Sequence, residues 1–270
     1  MRVTVLGSGS RGNAFALSSA GVTLLLDAGF GPKTLIRRAE RAGIDLHPLA
    51  GIVLTHEHGD HARGAVSLAR RHRCDIYGSR GTLQALADRT GAVRTIPLVT
   101  ARAMTIGPFT VGACPTTHDA REPLALSVST DGGRVKLGLA YDLGRPTTAT
   151  RYLLRDATCL LLEANHDEVM LRTGPYPPVV RDRIGGSRGH LSNRAAGQFL
   201  AELCHPALTH VVLVHVSERC NRPELAESAV REQLAGRGFG GRLSVAGQDD
   251  PMAPIDLATG PPQMELGIAG

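Results

Sequence analysis

Within the run Thr55-His-Glu-His-Gly-Asp-His61, the side chains of His56, His58, Asp60 and His61 put three imidazoles and a carboxylate into one short loop. Residues two apart in an extended segment point the same way, so His56 and His58 can share one cation. Asp60 and His61, past the turn, are displaced enough to hold a second. Borderline divalent metals accept imidazole nitrogen and carboxylate oxygen together. The plain alternative is a polar loop that happens to be crowded with such residues. The position of the whole set directly behind an apolar run weighs against it.

That run, Gly51-Ile-Val-Leu-Thr55, reads as a buried strand: short, rich in β-branched residues, and bounded by Pro48 and Gly59. If the loop behind it holds two metals, further ligands must come from other strand ends. Three positions fit. His118 follows the strand ending in Cys114-Pro-Thr-Thr, Asp142 follows Lys136–Tyr141 with Gly144 behind it, and His215 follows Val211–Val214. Asp27, ending Val22–Leu26, reads as an acceptor that fixes a ligating imidazole through its other nitrogen.

The elements that must position these groups alternate along the chain. Strands are expected at 2–6, 14–19, 22–27, 51–55, 74–78, 103–106, 109–114, 124–130, 135–141, 159–164, 210–216 and 242–246. Helices are expected near 32–42, 61–72, 80–89, 147–155, 192–204 and 223–235, with a long irregular stretch at 166–190. This order suggests two sheets packed face to face with helices outside. Residues 1–249 read as one domain, and 250–270 as a Pro/Gly-rich tail.

Bulk properties narrow the function classes. The 270 residues can bury a sizeable core, and aromatic residues make up 3%, so base stacking on an aromatic platform is a poor main binding mode. The net charge of +5 permits a polyanionic substrate without requiring one. Lys33 and Lys136 are the only lysines; the arginine excess suits phosphate, but biased genome composition explains it as well. The five cysteines form no paired spacing, which suits a reducing compartment and argues against a disulfide framework. With no leader and no membrane-length apolar run, the expected setting is the cytoplasm.

Asp27, His56-x-His58-x-Asp60-His61, His118, Asp142 and His215 together resemble the five successive motifs of the metallo-β-lactamase fold superfamily, over residues 1 to about 247. The resemblance implies an αββα sandwich of two mixed β-sheets flanked by helices, with a dimetal site at one edge. It also implies the ligand assignment: His56, His58 and His118 on one metal, Asp60, His61 and His215 on the other, and Asp142 bridging. Gly7-Ser-Gly-Ser-Arg-Gly-Asn13, Asn165-His-Asp167, Arg183-Ile-Gly-Gly186, Gly189-His-Leu-Ser-Asn193 and His215-Val-Ser217 resemble the YycJ (WalJ)-like branch, whose members are regarded as DNA exonucleases. His190 resembles the extra histidine of RNase Z-like phosphodiesterases. Cys220 and Tyr141 depart from the branch, which usually has an asparagine and a Thr or Ser at these positions.

Several residues carry two readings. Gly7–Asn13, with Ser8 and Asn13 as donors, is either an anion nest for a phosphate or a tight hairpin turn. His190 either caps the helix beginning near Ser192 or faces the scissile phosphate, and the second is preferred. His166 with Asp167 either binds a substrate end or orders its loop. Arg172, Arg181, Arg183 and Arg188 form a phosphate track or a solvated face, and Asn193 is placed among the substrate contacts. His47, His72, His205 and His210 are taken as structural or exposed.

The resulting expectation is a phosphodiesterase with two divalent metal ions, zinc or manganese. By resemblance it is a DNA nuclease of 5′-to-3′ exonuclease character, working through a metal-bridging hydroxide, with Asp60 and His190 as the catalytic residues. RNA is a second substrate class; no membrane partner is expected, and a homodimer is left open. The alternatives are a small-molecule thioester or cyclic-phosphate hydrolase of the same fold, and a nucleic-acid-binding protein with an inert metal site.

Overall fold

Apolar residues along the central strands alternate between two different cores, which dictates layers on both sides of each sheet. The computed structural model describes residues 1–257. The strands are β1 (Arg2–Gly7), β2 (Ala14–Ser19), β3 (Val22–Leu26), β4 (Leu49–Val53), β5 (Ile76–Gly78), β6 (Thr95–Pro97), β7 (Met104–Ile106), β8 (Phe109–Pro115), β9 (Leu124–Thr130), β10 (Val135–Ala140), β11 (Cys159–Glu163), β12 (His210–Val214), β13 (Arg242–Val245) and β14 (Ile255–Asp256). They form two seven-stranded sheets, ordered β14-β1-β2-β3-β4-β5-β6 and β13-β12-β11-β10-β9-β8-β7. Each sheet is mixed. An antiparallel meander (β1 to β3; β7 to β10) passes into parallel strands (β3 to β6; β10 to β13).

Phe15, Leu17, Leu24 and Leu26 face Leu137, Leu139, Leu161, Val212 and Val214 in the core between the sheets. Their sequence neighbours point outward: Ala14, Ala16 and Leu25 pack under the first sheet's helices, and Leu160, Leu162, Val211 and Leu213 under the second's. Each fully buried aliphatic side chain stabilises the fold by about 1.5–3 kcal/mol relative to exposure.

The helices are α1 (Pro32–Arg41), α2 (Gly59–Ala62), α3 (Ala65–His72), α4 (Arg80–Ala85), α5 (Ala87–Thr90), α6 (Thr148–Leu154), α7 (Glu168–Thr173), α8 (Pro178–Ile184), α9 (Asn193–Leu203) and α10 (Pro223–Leu234). Two expected helices are broken. The one at 61–72 divides into α2 and α3 at Gly64, whose N–H donates to the Ala28 carbonyl at 2.7 Å, and the one at 80–89 divides at buried Leu86. The stretch 166–190, expected to be irregular, contains α7 and α8. The Asp167 side chain caps α7 by accepting from the Val169 and Met170 N–H groups, and Pro178 starts α8. α8 buries none of its residues, so it has no apolar stripe for periodicity to reveal.

Strands β6 and β14 are also additional to the sequence expectation. β14 pairs with β1, so residues 250–257 of the expected tail run on into the first sheet; the remainder, 258–270, lies outside the described residues. Among the described residues, no helix is long and apolar enough to cross a membrane.

Candidate metal centre

Asp27 and His215 directly follow the last residue of a strand and Asp142 lies two residues past one, and all three adopt a left-handed backbone, with φ of 55°, 56° and 49°. For non-glycine residues this conformation costs on the order of 1–2 kcal/mol apiece. It turns the chain sharply at the strand end, so that groups from both sheets converge there. His56, His58, Asp60 and His61 come from the loop behind β4 and the start of α2, and His118 from the loop behind β8.

These side chains assemble into overlapping groups whose candidate ligand atoms lie within 4.8 Å of one another: His56, His58 and His118; Asp60, His61 and His215; and His56, His61 and Asp142. Asp142 thus lies between the two triads. Its Oδ2 is 2.8 Å from His61 Nε2 and 3.7 Å from His56 Nε2. A fourth group joins Asp142 and His215 to His190 and Glu163.

Each imidazole of the triads but His58 is oriented through its second nitrogen. His56 Nδ1 lies 3.1 Å from Thr55 Oγ1, His61 Nδ1 2.8 Å from Asp27 Oδ2, His118 Nδ1 3.3 Å from the Gly189 carbonyl, and His215 Nδ1 3.2 Å from Glu163 Oε1. Such partners select the tautomer of a ligating histidine. Asp27 is buried and also accepts the Thr55 N–H and hydroxyl, at 2.8 and 2.7 Å, and the Tyr141 hydroxyl. Tyr141, noted as a departure, is therefore a donor to the acceptor that holds His61.

The residues fit divalent cations. Among the described residues, both oxygens of buried Asp142 and Nε2 of buried His215 lack a hydrogen-bond partner, although opposing groups stand close by. The electrostatics point the same way. Burial and the neighbouring His61 charge hold His56 well below the usual imidazole range, and burial lowers His118. Burial also acts to lower His61, His190 and His215, but the carboxylates win. Asp142 and Asp60 hold His61 well above its ordinary value. Glu163 and Asp142 push His190 up to about 10, and Asp142 with Asp60 and Glu163 pushes His215 up to about 9. Asp142 lies well below the carboxylate range because the His215 and His61 charges overcome its desolvation, and Glu163 falls to about 2 beside His190. Buried carboxylates here require positive charge, which imidazolium protons or metal cations can both supply.

Glu163, at the end of β11, escaped the sequence reading. It is fully buried, accepts the Leu143 and Leu191 N–H groups at 3.0 Å each, and receives both His190 Nδ1 (2.8 Å) and His215 Nδ1 (3.2 Å). The available signal was an acid closing the apolar run Cys159–Leu162, the same pattern that identified Asp27 and Asp142. His190 faces Asp142 Oδ1 at 3.1 Å, as close as His215 does.

A pocket of about 200 Å³ opens over the centre, with His58, Asp60, His118, Asp142, His190 and His215 on its floor. Arg183 and Tyr176 line its mouth. Arg183 is 70% exposed and held by Asp119, its Nη2 at 2.6 Å and Nε at 2.7 Å from Oδ2, while Asp119 Oδ1 is 3.2 Å from His118 Nε2.

The other expected substrate contacts are not brought to this pocket. Ser8 and Asn13 are buried: Ser8 Oγ accepts the His215 N–H at 2.9 Å and donates to Asn13 Oδ1 at 2.8 Å, so these side chains brace His215. Ser10 is the residue of that loop that reaches the pocket. Asn193 is buried and exchanges hydrogen bonds of 2.9 and 2.8 Å with Asn221. His166 is buried outside the lining; its carbonyl accepts the Asn193 N–H at 2.9 Å, and its Nδ1 has no hydrogen-bond partner among the described residues. Cys220 is also buried and does not line the pocket.

Residues 23–216 match the family model described as Beta-lactamase superfamily domain. The chain is 31% identical over 261 residues, covering 95% of it and 98% of its relative, to exodeoxyribonuclease YycJ of Bacillus anthracis. It is 29% identical, over 88% of this chain and 90% of its relative, to exodeoxyribonuclease WalJ of Streptococcus pneumoniae. Among solved structures, Zn(2+)-bound PqqB from Methylobacterium extorquens superposes with a TM-score of 0.69 at 19% identity, covering 95% of this chain and all (100%) of the other.

Proposed function

The chain belongs to the β-lactamase superfamily domain family and is a hydrolase of the metallo-β-lactamase fold, and on that premise we propose that it is a two-metal phosphodiesterase acting on DNA, with 5′-to-3′ exonuclease character. The observation that carries the reading is the pair of ligand triads with Asp142 between them. Similarity to two exodeoxyribonucleases over most of the chain supports DNA as substrate. His56, His58 and His118 would hold one cation, Asp60, His61 and His215 the other, with Asp142 shared. Imidazole-rich ligation favours zinc, and the shared carboxylate suits manganese as well. When bound, two such cations supply Lewis acidity toward a phosphoryl oxygen and bring a water toward neutral pKa.

The protein's own groups then divide the remaining work. Asp60, 24% exposed at its side chain, turns toward the pocket and orients the attacking water. His190 holds its Nδ1 on Glu163, which leaves Nε2 to carry the proton toward the leaving oxygen. Arg183, fixed by Asp119 at the mouth, faces an incoming phosphate. The five free thiols are consistent with a cytoplasmic setting.

A small-molecule hydrolase is the second reading, favoured by the modest pocket of about 200 Å³. End-labelled single- and double-stranded DNA, and RNA, incubated with protein loaded with zinc or manganese, separate the two. Release of mononucleotides from the 5′ end is expected. Turnover of a thioester or cyclic phosphate, with every nucleic acid left intact under both metals, would overturn the nuclease reading.

A further inference from the structure

A second groove adjoins the metal pocket, with His118 in the wall between them. It holds about 420 Å³ and is lined by Arg121, Arg145, Arg188, Thr116, Thr117 and Ser187, with no acidic residue in its walls among the described residues. We propose that this groove binds the phosphate backbone of the nucleic-acid strand leading away from the scissile bond, an inference that rests on the nuclease reading.

The groove is a built feature. Thr117 Oγ1 donates to the Arg145 carbonyl at 3.1 Å and accepts the Arg145 N–H at 3.0 Å, while the Gly144 N–H donates to the Thr117 carbonyl at 2.8 Å. Arg188 reaches the His118 carbonyl through Nη2 at 3.5 Å. Three chain segments are thereby joined around the cavity. Neighbouring acids are engaged elsewhere: Asp119 with Arg183, Glu57 with the Arg121 backbone N–H at 2.8 Å, and Glu122 with the Gly81 N–H at 2.8 Å. Among the described residues, the Arg121 and Arg145 guanidiniums have no ion-pair partner, and Thr116 Oγ1 is a buried hydroxyl without a hydrogen bond.

Guanidiniums with no ion-pair partner, converging on one groove, suit phosphate oxygens. The groove starts at a candidate metal ligand, so a strand whose scissile phosphate sits at the centre can continue into it. A mononucleotide or cyclic phosphate would leave it empty. The small pocket over the metals and a polymeric substrate are thus compatible.

The test compares metal-loaded parent protein with the R121Q/R145Q double variant, using a fluorescein-labelled single-stranded 20-mer with phosphorothioate linkages to resist cleavage. Metal content and melting temperature establish that the variant is folded and loaded. Its Kd at fixed salt is expected to rise about tenfold or more, and the slope of log K against log salt to become shallower by roughly 1.4, about 0.7 for each of two lost contacts. The R121K/R145K variant should recover most of the slope. An R121Q/R145Q protein with parental Kd and salt slope would overturn the groove, and would leave the nuclease reading standing if the parent still cleaves ordinary DNA. A parent that neither binds nor cleaves DNA would overturn both.

Discussion

The imidazoles at the centre are not interchangeable, because what stands behind each ring differs. His61 is backed by Asp27, which Thr55 and Tyr141 also engage. Asp27→Asn substitutes an amide that can no longer accept all of these donors. Metal affinity should fall roughly 10–100-fold with the fold retained, as read by chelator competition and circular dichroism; unchanged affinity would reduce Asp27 to a packing residue. His190 and His58 make a sharper contrast. His190→Ala should keep both metals while DNA cleavage falls roughly 10²–10⁴-fold, the scale of a lost general acid. His58→Ala should lose metal and activity together. Because His190 stands 3.1 Å from Asp142, metal analysis of His190→Ala decides between proton donor and ligand: a lost cation would put His190 in the ligand set.

At the level of elements, the histidine loop is held by the β1–β2 loop and by the turn after β3. Asn13 N–H and Ala28 N–H donate to the Asp60 and His61 carbonyls at 2.8 and 2.7 Å, and the backbone at Gly29 passes so close that a Cβ there would lie 1.7 Å from the Asp60 carbonyl oxygen. Neither side of that contact is a flexible side-chain end, so Gly29→Ala must displace the start of α2. The predicted result is a lower melting temperature and selective weakening of the Asp60–His61–His215 cation site, with the His56–His58–His118 site less affected. Titration with a spectroscopically visible divalent ion such as cobalt would check this; equal loss at both sites would contradict it. α8 is tied to the centre by the His190 N–H, which donates to the Ile184 carbonyl at 2.8 Å, and from outside by the Arg183–Asp119 pair at 2.6 Å. Asp119→Ala should therefore speed hydrogen exchange across 178–184 and weaken DNA binding. Because Arg183 is largely exposed and screened by solvent, the effect on overall stability should be small.

For the whole molecule, the two sheets meet in one apolar core, and buried carboxylates and imidazoles gather where strands of both sheets stop. Stripping the metals leaves buried Asp142 to be compensated by imidazolium protons alone, so cations add stability by mass action. At free metal about 100 times Kd, one site contributes about 2.7 kcal/mol, or roughly 5–10 °C in melting temperature for a domain of this size. Calorimetry of chelator-treated and reloaded protein should show a shift of that order, and identical melting curves would argue against metal binding in the folded state.

Much of this was legible in the sequence because its signals are local. Short continuous apolar runs announced the strands, and a polar ligand-type residue behind such runs placed Asp27, His56 to His61, His118, Asp142 and His215 at strand ends. The helices α7 and α8 left weak local signals because they bury little, apart from the Asp167 cap. Side-chain direction was beyond reach: Ser8, Asn13 and Asn193 have the chemistry of phosphate contacts, yet packing turns them inward to brace His215 and Asn221. The pairing of Glu163 with His190, and the meeting of Arg121, Arg145 and Arg188 around one groove, depend on segments distant along the chain. The pairing of the second sheet's strands brings these groups together, because proximity in a sandwich is set by how strands pair and where each strand stops.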